Sequence, residues 1–161
     1  MLKNHEISFL PLELQDLEAI TKLYNSNRTF LKNHLNRQAV TAAWVEKEHF
    51  VPRTNGFVTE KVLCADKLVG LVDYKFGKET YLSLLLLDKT MQKKGLGTKI
   101  VNAFGQYTLQ NKGQALRIDV VTGYEGAPLD FWRSVGFADI TSSRLEWDEN
   151  VLPVIVMKKF L

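Results

Sequence analysis

The run "YLSLLLLDKTMQKKGLGTKIVNAFGQYTLQNKG", Tyr81 to Gly113, carries three signals in succession: a leucine-rich stretch, a glycine-bearing turn and a helical pattern. Leu82 to Leu87 is short and apolar and reads as a buried strand. Beyond the glycines, Ile100, Val101, Phe104, Tyr107 and Thr108 fall on one helical face, and Lys112-Gly113 makes a favourable C-terminal ending. A helix that starts at a glycine-rich turn presents unpaired backbone N–H groups at its positive dipole end, a natural seat for phosphate or pyrophosphate. Gly95 and Gly97 would let such a ligand approach the backbone closely.

Upstream, "GFVTEKVLCADKLVGLVDYKF" holds two strand-like runs rich in valine and leucine around Ala65-Asp66-Lys67, the pattern of an antiparallel hairpin. A third strand is expected from about Thr80 to Leu87. Nearer the N-terminus, Ile7 to Leu12 is strand-like, and Leu14, Leu17, Ile20, Leu23 and Tyr24 recur at the spacing of an amphipathic helix. Residues 25–38 suit a loop with a short helix and 39–51 another helix, a region expected to form a flexible wall. Downstream, "ALRIDVVT" reads as a strand, "APLDFWRSVGF" as a short helix stopped by Gly136, and "RLEW" and "VLPVIVMKKF" as two closing strands. The order β-α-α-β-β-β-α-β-α-β-β implies an α/β or α+β fold with a mixed sheet.

The chain has 161 residues, 45% hydrophobic and 24% charged, which suits a single globular domain over residues 1–161. A net charge of +3, with lysines and arginines scattered along the chain, does not imply nucleic acid. The N-terminal "MLKNHEISFLPLELQ" lacks the pattern of a signal peptide and no apolar run is long enough to cross a bilayer, so a cytoplasmic protein without a membrane partner is expected. Cys64 is the only cysteine and reads as an inert core thiol; His5, His34 and His49 make no recognisable ligand spacing, so no metal is expected.

Three readings of the glycine turn compete. A nucleoside triphosphate P-loop requires G-x-x-x-x-G-K-[ST], which Thr98-Lys99 after Gly97 does not satisfy. A dinucleotide fingerprint requires a small residue where Ile100 stands and belongs at the start of an early βαβ unit. The third reading is the pyrophosphate cradle of an acyl-coenzyme A enzyme. Gln92, Gly95 and Gly97 in "QKKGLGTK" give Q-x-x-G-x-G, which resembles the [QR]-x-x-G-x-[GA] loop of the GNAT superfamily of acyl-CoA N-acyltransferases. "FWRSVGF" resembles that superfamily's F-Y-x-x-x-G-F segment, and the closing "VIVMKKFL" is similar to its frequent final strand.

The resemblance implies a central mixed, mostly antiparallel twisted sheet with a splayed strand pair and helices on both faces. It implies acetyl-CoA as cosubstrate, with backbone groups of Leu85, Leu86 and Leu87 along the pantetheine and Gln92, Lys93, Lys94, Gly95, Leu96, Gly97 and Thr98 around the pyrophosphate. It implies an N-acetyltransferase acting by direct attack of a primary amine of a small molecule or peptide. The Leu87 N–H is the expected oxyanion donor, and Glu79, thirteen residues before Gln92, is the candidate general base, with Asp73 as competitor. The family's usual tyrosine in the last short helix is replaced by Trp132, whose indole N–H donates a hydrogen bond but releases no useful proton. Either Tyr124 is then the acid or the thiolate leaves with hydrogen-bond help alone and takes its proton from water, and Trp132 is either a donor or core packing.

The acceptor wall is assigned to residues 25–38 and the hairpin. There Arg28, Lys32, His34 and Arg37 argue against a polyamine and for an amine bearing a carboxylate or phosphate. A non-catalytic acyl-CoA-binding or sensor module is the alternative function, and a homodimer stays open.

Overall fold

The computed structural model describes residues 6–161, so His5 lies outside the described residues. Seven strands form one sheet in the order β1-β2-β3-β4-β5-β7-β6. They are β1 (Ile7–Pro11), β2 (Val58–Cys64), β3 (Lys67–Lys75), β4 (Glu79–Leu87), β5 (Ala115–Val121), β6 (Ala138–Trp147) and β7 (Asn150–Phe160). Every neighbouring pair is antiparallel except β4–β5, which runs parallel because the long helix α4 (Leu96–Gln110) crosses between them.

The helices cover both faces. On one face, α4 and the short α5 (Leu129–Ser134) pack Ile100, Val101, Phe104 and Trp132 against Leu82, Leu116, Ile118 and Met157. On the other, α1 (Leu17–Ser26), α2 (Arg28–Phe30) and α3 (Ala42–Val45) cover Leu71, Leu84 and Leu86 with Ile20, Leu23, Tyr24, Leu31 and Val45. α2 and α3 each run on into a wider π-helical turn, Leu31–Leu35 and Glu46–Phe50. The segment expected to be a flexible wall is therefore a packed layer, with Leu31, Leu35, Val40 and Val45 buried. Its many asparagines and basic residues hide an apolar set, Leu31 and Leu35 four residues apart on one helical face with Val40 and Val45 beyond.

Both two-residue hairpin turns place consecutive residues in the left-handed region, Ala65-Asp66 between β2 and β3 and Asp148-Glu149 between β6 and β7. That is the turn whose twist matches the flanking strands. The strand expected at "RLEW" begins much earlier, at Ala138. As an edge strand with a single partner it is mostly exposed and polar, so hydrophobic alternation does not mark it.

Two features of β3–β4 position the site. Asp73 pairs with Leu84 and Tyr74 with Leu82, which leaves Ser83 as a bulge on β4. Gly70 lets the strands approach closely, since a Cβ there would stand 2.7 Å from the Leu86 carbonyl oxygen. Gly70→Ala is therefore expected to wedge the two strands apart and lower stability by about 1–3 kcal/mol in urea denaturation. An unchanged midpoint would show that the pair is not close-packed there.

Candidate active site

β4 and β5 are joined by only three residue pairs, Glu79 with Ala115, Thr80 with Leu116 and Tyr81 with Arg117. Past that point they diverge, and the gap between them opens into a cleft of about 850 Å³ lined by Leu82–Leu87 on one side and Ile118–Val121 on the other. The facing of the β4 backbone follows from one bond. The Asp88 N–H donates to the Val69 carbonyl at 2.9 Å, extending the β3–β4 ladder. Antiparallel pairs alternate, so Leu86 and Leu84 turn their main-chain groups to β3, whereas Leu85 and Leu87 turn theirs into the gap. Leu86, expected to offer backbone groups to a ligand, spends them on β3 instead.

The Leu87 carbonyl fits this alternation. It accepts from Asn27 Nδ2 at 2.8 Å and from Gln92 Nε2 at 3.1 Å. Gln92 also donates to Asn27 Oδ1 at 2.7 Å, and Asn27 Nδ2 donates to the Leu23 carbonyl at 2.9 Å. Asn27, buried at the C-terminal end of α1, thus ties that helix to the open end of the gap. Nothing local in the sequence marks Asn27 for this role, because its partners at the gap are sixty or more residues away.

The glycine turn stands at the same end. Asp88 Oδ1 accepts from the Thr90 backbone N–H and hydroxyl, shaping the short turn Lys89–Met91. Lys93 and Gly95 both adopt the left-handed region, with φ of 61° and 78°. α4 then begins at Leu96 with no side chain capping its first N–H groups. Residues alternating into that region curl successive N–H groups around a concave anion seat. A Cβ added to Gly95 would meet nothing within 4 Å, so the space above this turn is open. Gly97 differs: a Cβ there would press on the Phe131 ring at 3.2 Å, so this glycine lets α5 close on α4. Gln92, Lys93, Gly95, Gly97 and Thr98 line the cleft, while Lys94 is exposed away from it and Leu96 is buried in the core.

A family model described as an acetyltransferase (GNAT) domain matches residues 18–161, nearly the whole chain. The chain belongs to that family. Solved structures share the acetyltransferase fold at low identity. An acetyltransferase from Thermus thermophilus is 16% identical with a TM-score of 0.74, covering 96% of this chain and 97% of its own. A ribosomal L7/L12 alpha-N-protein acetyltransferase in complex with coenzyme A is 11% identical with a TM-score of 0.76, covering 100% and 97%. A spermidine N-acetyltransferase from Vibrio cholerae in complex with CoA and spermine is 17% identical with a TM-score of 0.71, covering 97% and 96%. No curated protein matches the sequence.

Against the GNAT frame, the candidate catalytic groups fall into two sets. Tyr124 and Trp132 line the cleft, and so does Leu87. Glu79 does not: it sits at the closed end of the strand pair, ion-paired with Lys158 Nζ at 2.6 Å. Asp73 is buried beneath Ser83, accepting from its hydroxyl at 3.0 Å and from Arg53 Nη2 and Thr59 Oγ1 at 2.9 Å. Its carboxyl is held below the usual carboxylate range: burial opposes ionisation, and the His49, Arg53 and Thr59 partners outweigh it.

Asp119 emerges instead. It lines the cleft two residues past the last β4–β5 pair, with its side chain 9% exposed. Ile118 and Val120 pack toward α4, so Asp119 faces the opposite side, over which α1–α3 pack. Its oxygens accept from Arg117 at 3.0 and 3.1 Å and from the Tyr81 hydroxyl at 3.1 Å. Trp132 is at once core and cleft wall, its ring edge-on to Phe131 and Phe137. Burial pushes the Tyr124 phenol above its ordinary value, so it keeps its proton.

His34 is neutral for the complementary reason. Burial lowers its pKa to about 4, only partly offset by the hydrogen bond to the Phe30 carbonyl at 3.1 Å. A carbonyl only accepts, so His34 Nδ1 carries the proton and Nε2 keeps a free lone pair. The unfolded chain protonates this imidazole first as pH falls. The stability that goes with burying it neutral is full above about pH 6.5 and is lost as pH falls toward 4. Denaturation curves for wild type and His34→Gln are expected to diverge over that window, wild type losing more, by at most about 3 kcal/mol. Parallel pH dependences would mean that His34 protonates freely in the folded protein.

Proposed function

We propose that the protein is an acetyl-CoA-dependent N-acetyltransferase acting on a primary amine. The observation that carries this reading is the strand gap running without interruption into the uncapped start of α4. A gap with free strand-edge groups suits a chain that bonds like a β-strand, as the two amides of pantetheine do. The open concave turn at Lys93–Gly95 suits its pyrophosphate, and Lys93 and Lys89 on the cleft wall add charge of the right sign. The Leu87 carbonyl is already taken by Asn27 and Gln92, so the Leu87 N–H and both groups of Leu85 remain for the ligand.

The reacting end lies deeper, toward the closed end of the gap. Leu85 is about 7 Å further along β4 than Leu87, which makes the Leu85 N–H the oxyanion donor and leaves the Leu87 N–H for pantetheine. The free amine attacks the thioester carbonyl, a C–N bond forms and the C–S bond breaks. Asp119 is the only acid sheltered from solvent among the described residues lining the cleft; the other, Glu125, is exposed. Asp119 takes the proton that the amine gives up, directly or through water, and Tyr124 O–H protonates the departing sulfur.

Acetyl-CoA is expected to raise the melting temperature of wild type. Gly95→Val should abolish the shift, because its φ of 78° strains a branched residue whose side chain fills the cradle. Equal shifts in both proteins would overturn the cradle. With an amine present, release of thiol from acetyl-CoA separates an enzyme from a module that merely binds. In that assay Tyr124→Phe and Asp119→Asn should each lower kcat by about 10²–10⁴ with acetyl-CoA affinity intact. Full activity of either variant removes its residue from the chemistry.

A further inference from the structure

The acceptor side of the cleft has an unusual chemistry. Phe30, His34, Tyr124 and Trp147 all line it, and each ring meets at least one of the others. Phe30 and His34 stack with centroids 4.2 Å apart; His34 meets Tyr124 edge-on at 6.0 Å and Trp147 at 6.4 Å; Phe30 meets Trp147 at 5.7 Å. Phe30 and Trp147 pack on the α1–α3 side of the sheet, the side Asp119 faces. The rings come from α2, its π-helical extension, the loop after β5 and the end of β6. They therefore form one aromatic wall of the cleft that Asp119 also lines.

This wall is braced from behind. Tyr24 lies 6.2 Å from Phe30 and 5.3 Å from Trp44. The β6–β7 turn is pinned by Arg37 Nε donating to Asp148 Oδ2 at 2.8 Å and by the Trp44 indole N–H reaching Asp148 Oδ1 at 3.5 Å. A rigid apolar surface gives up little on binding a flat ring.

The charges favour neither of two other occupants. Polyamines carry further ammonium groups that need acids, and the described acids lining the cleft are only Asp119, already shared by Arg117 and Tyr81, and exposed Glu125. An anionic acceptor fares no better. Of the basic residues in 25–38, Lys32 and Arg37 do not line the cleft, Arg37 is spent on Asp148 and His34 is neutral, which leaves exposed Arg28, while Lys89 and Lys93 on the cleft wall serve the pyrophosphate. The preference for a carboxylate- or phosphate-bearing amine read from residues 25–38 therefore rests on Arg28 alone.

We infer that the acceptor is a primary amine carried a few bonds from an aromatic ring, which stacks on the wall of Phe30, His34, Tyr124 and Trp147 and brings its nitrogen to Asp119. This inference rests on the acetyltransferase reading above. Two sources share the chemistry, a free arylalkylamine and the N-terminal aromatic residue of a peptide.

The test measures thiol release from acetyl-CoA by the full chain with 2-phenylethylamine, a Phe-Ala-Ala tripeptide, propylamine and spermidine. At least one aromatic amine is expected to exceed both propylamine and spermidine in kcat/KM by about tenfold or more, and the faster of the two identifies the source. Trp147→Ala should erase that preference while the acetyl-CoA-induced melting shift persists, and Trp147→Phe, which keeps a ring, should retain most of it. Thiol release that is equal for all amines, or fastest with spermidine, overturns the aromatic acceptor and leaves the acetyltransferase standing. A melting shift with no thiol release from any amine overturns both, and so does the absence of any shift.

Discussion

The structure depends on a hydrogen-bond deficit. Two parallel strands that pair over three residues and then part leave main-chain groups facing a gap, and buried backbone groups without partners are costly. The chain satisfies one of them internally: the Leu87 carbonyl receives both Asn27 and Gln92. The remainder stay available, and a ligand that offers alternating donors and acceptors along an extended chain completes the ladder. Binding and fold are in this sense one problem, since the same splay that weakens the sheet creates the site.

The two helix layers hold that splay open. α4 starts at the wide end and carries the uncapped turn, while α1 ends at the same place and supplies Asn27. Gly97 lets Phe131 close on α4, and Gly70 lets β3 approach the Leu86 carbonyl, so two close contacts on either side of the Leu87 side chain set the rim. The bulge at Ser83 shifts the side-chain alternation of β4 in the same region, sending Leu82 to one face and Leu84 and Leu86 to the other. Beneath it buried Asp73, Thr59 and His49, with Arg53 reaching in from the surface, cluster around a single compensated charge, which steadies the bulge without reaching the cleft directly. The polarity of that cluster is determined by its members. Thr59 spends its proton on Asp73, so His49 Nδ1–H donates to Thr59, and its Nε2 meets the hydroxyl of Tyr24, whose burial keeps its phenol protonated.

Much of this is legible in "QKKGLGTK" and the elements around it. The glycine turn, the hairpin at Ala65-Asp66, α4 and the strands on either side follow from local rules: periodicity, turn chemistry and helix ends act between residues close in sequence. Tyr124 and Trp132 can be picked out because a short helix and its entry loop have a recognisable pattern, and both line the cleft. The roles of the two glycines are not separable in the same way, because both look alike until the neighbours are known: Gly95 faces open space and Gly97 faces Phe131.

What the sequence by itself determined is the list of elements and the presence of a glycine turn between a strand and a helix. Only the tertiary structure decided which carboxylate stands in the cleft. Glu79 and Asp119 are both strand acids, but strand parity and the three-pair limit of β4–β5 put Glu79 against Lys158 at the closed end and Asp119 on the wall. The aromatic wall was equally hidden, since Phe30 and Trp147 lie near opposite ends of the chain and meet only when the β6–β7 hairpin docks on α2. The physical reason is common to both: local propensity is set by neighbours along the chain, whereas a side chain's chemistry is set by neighbours across space, and long-range strand pairing chooses those.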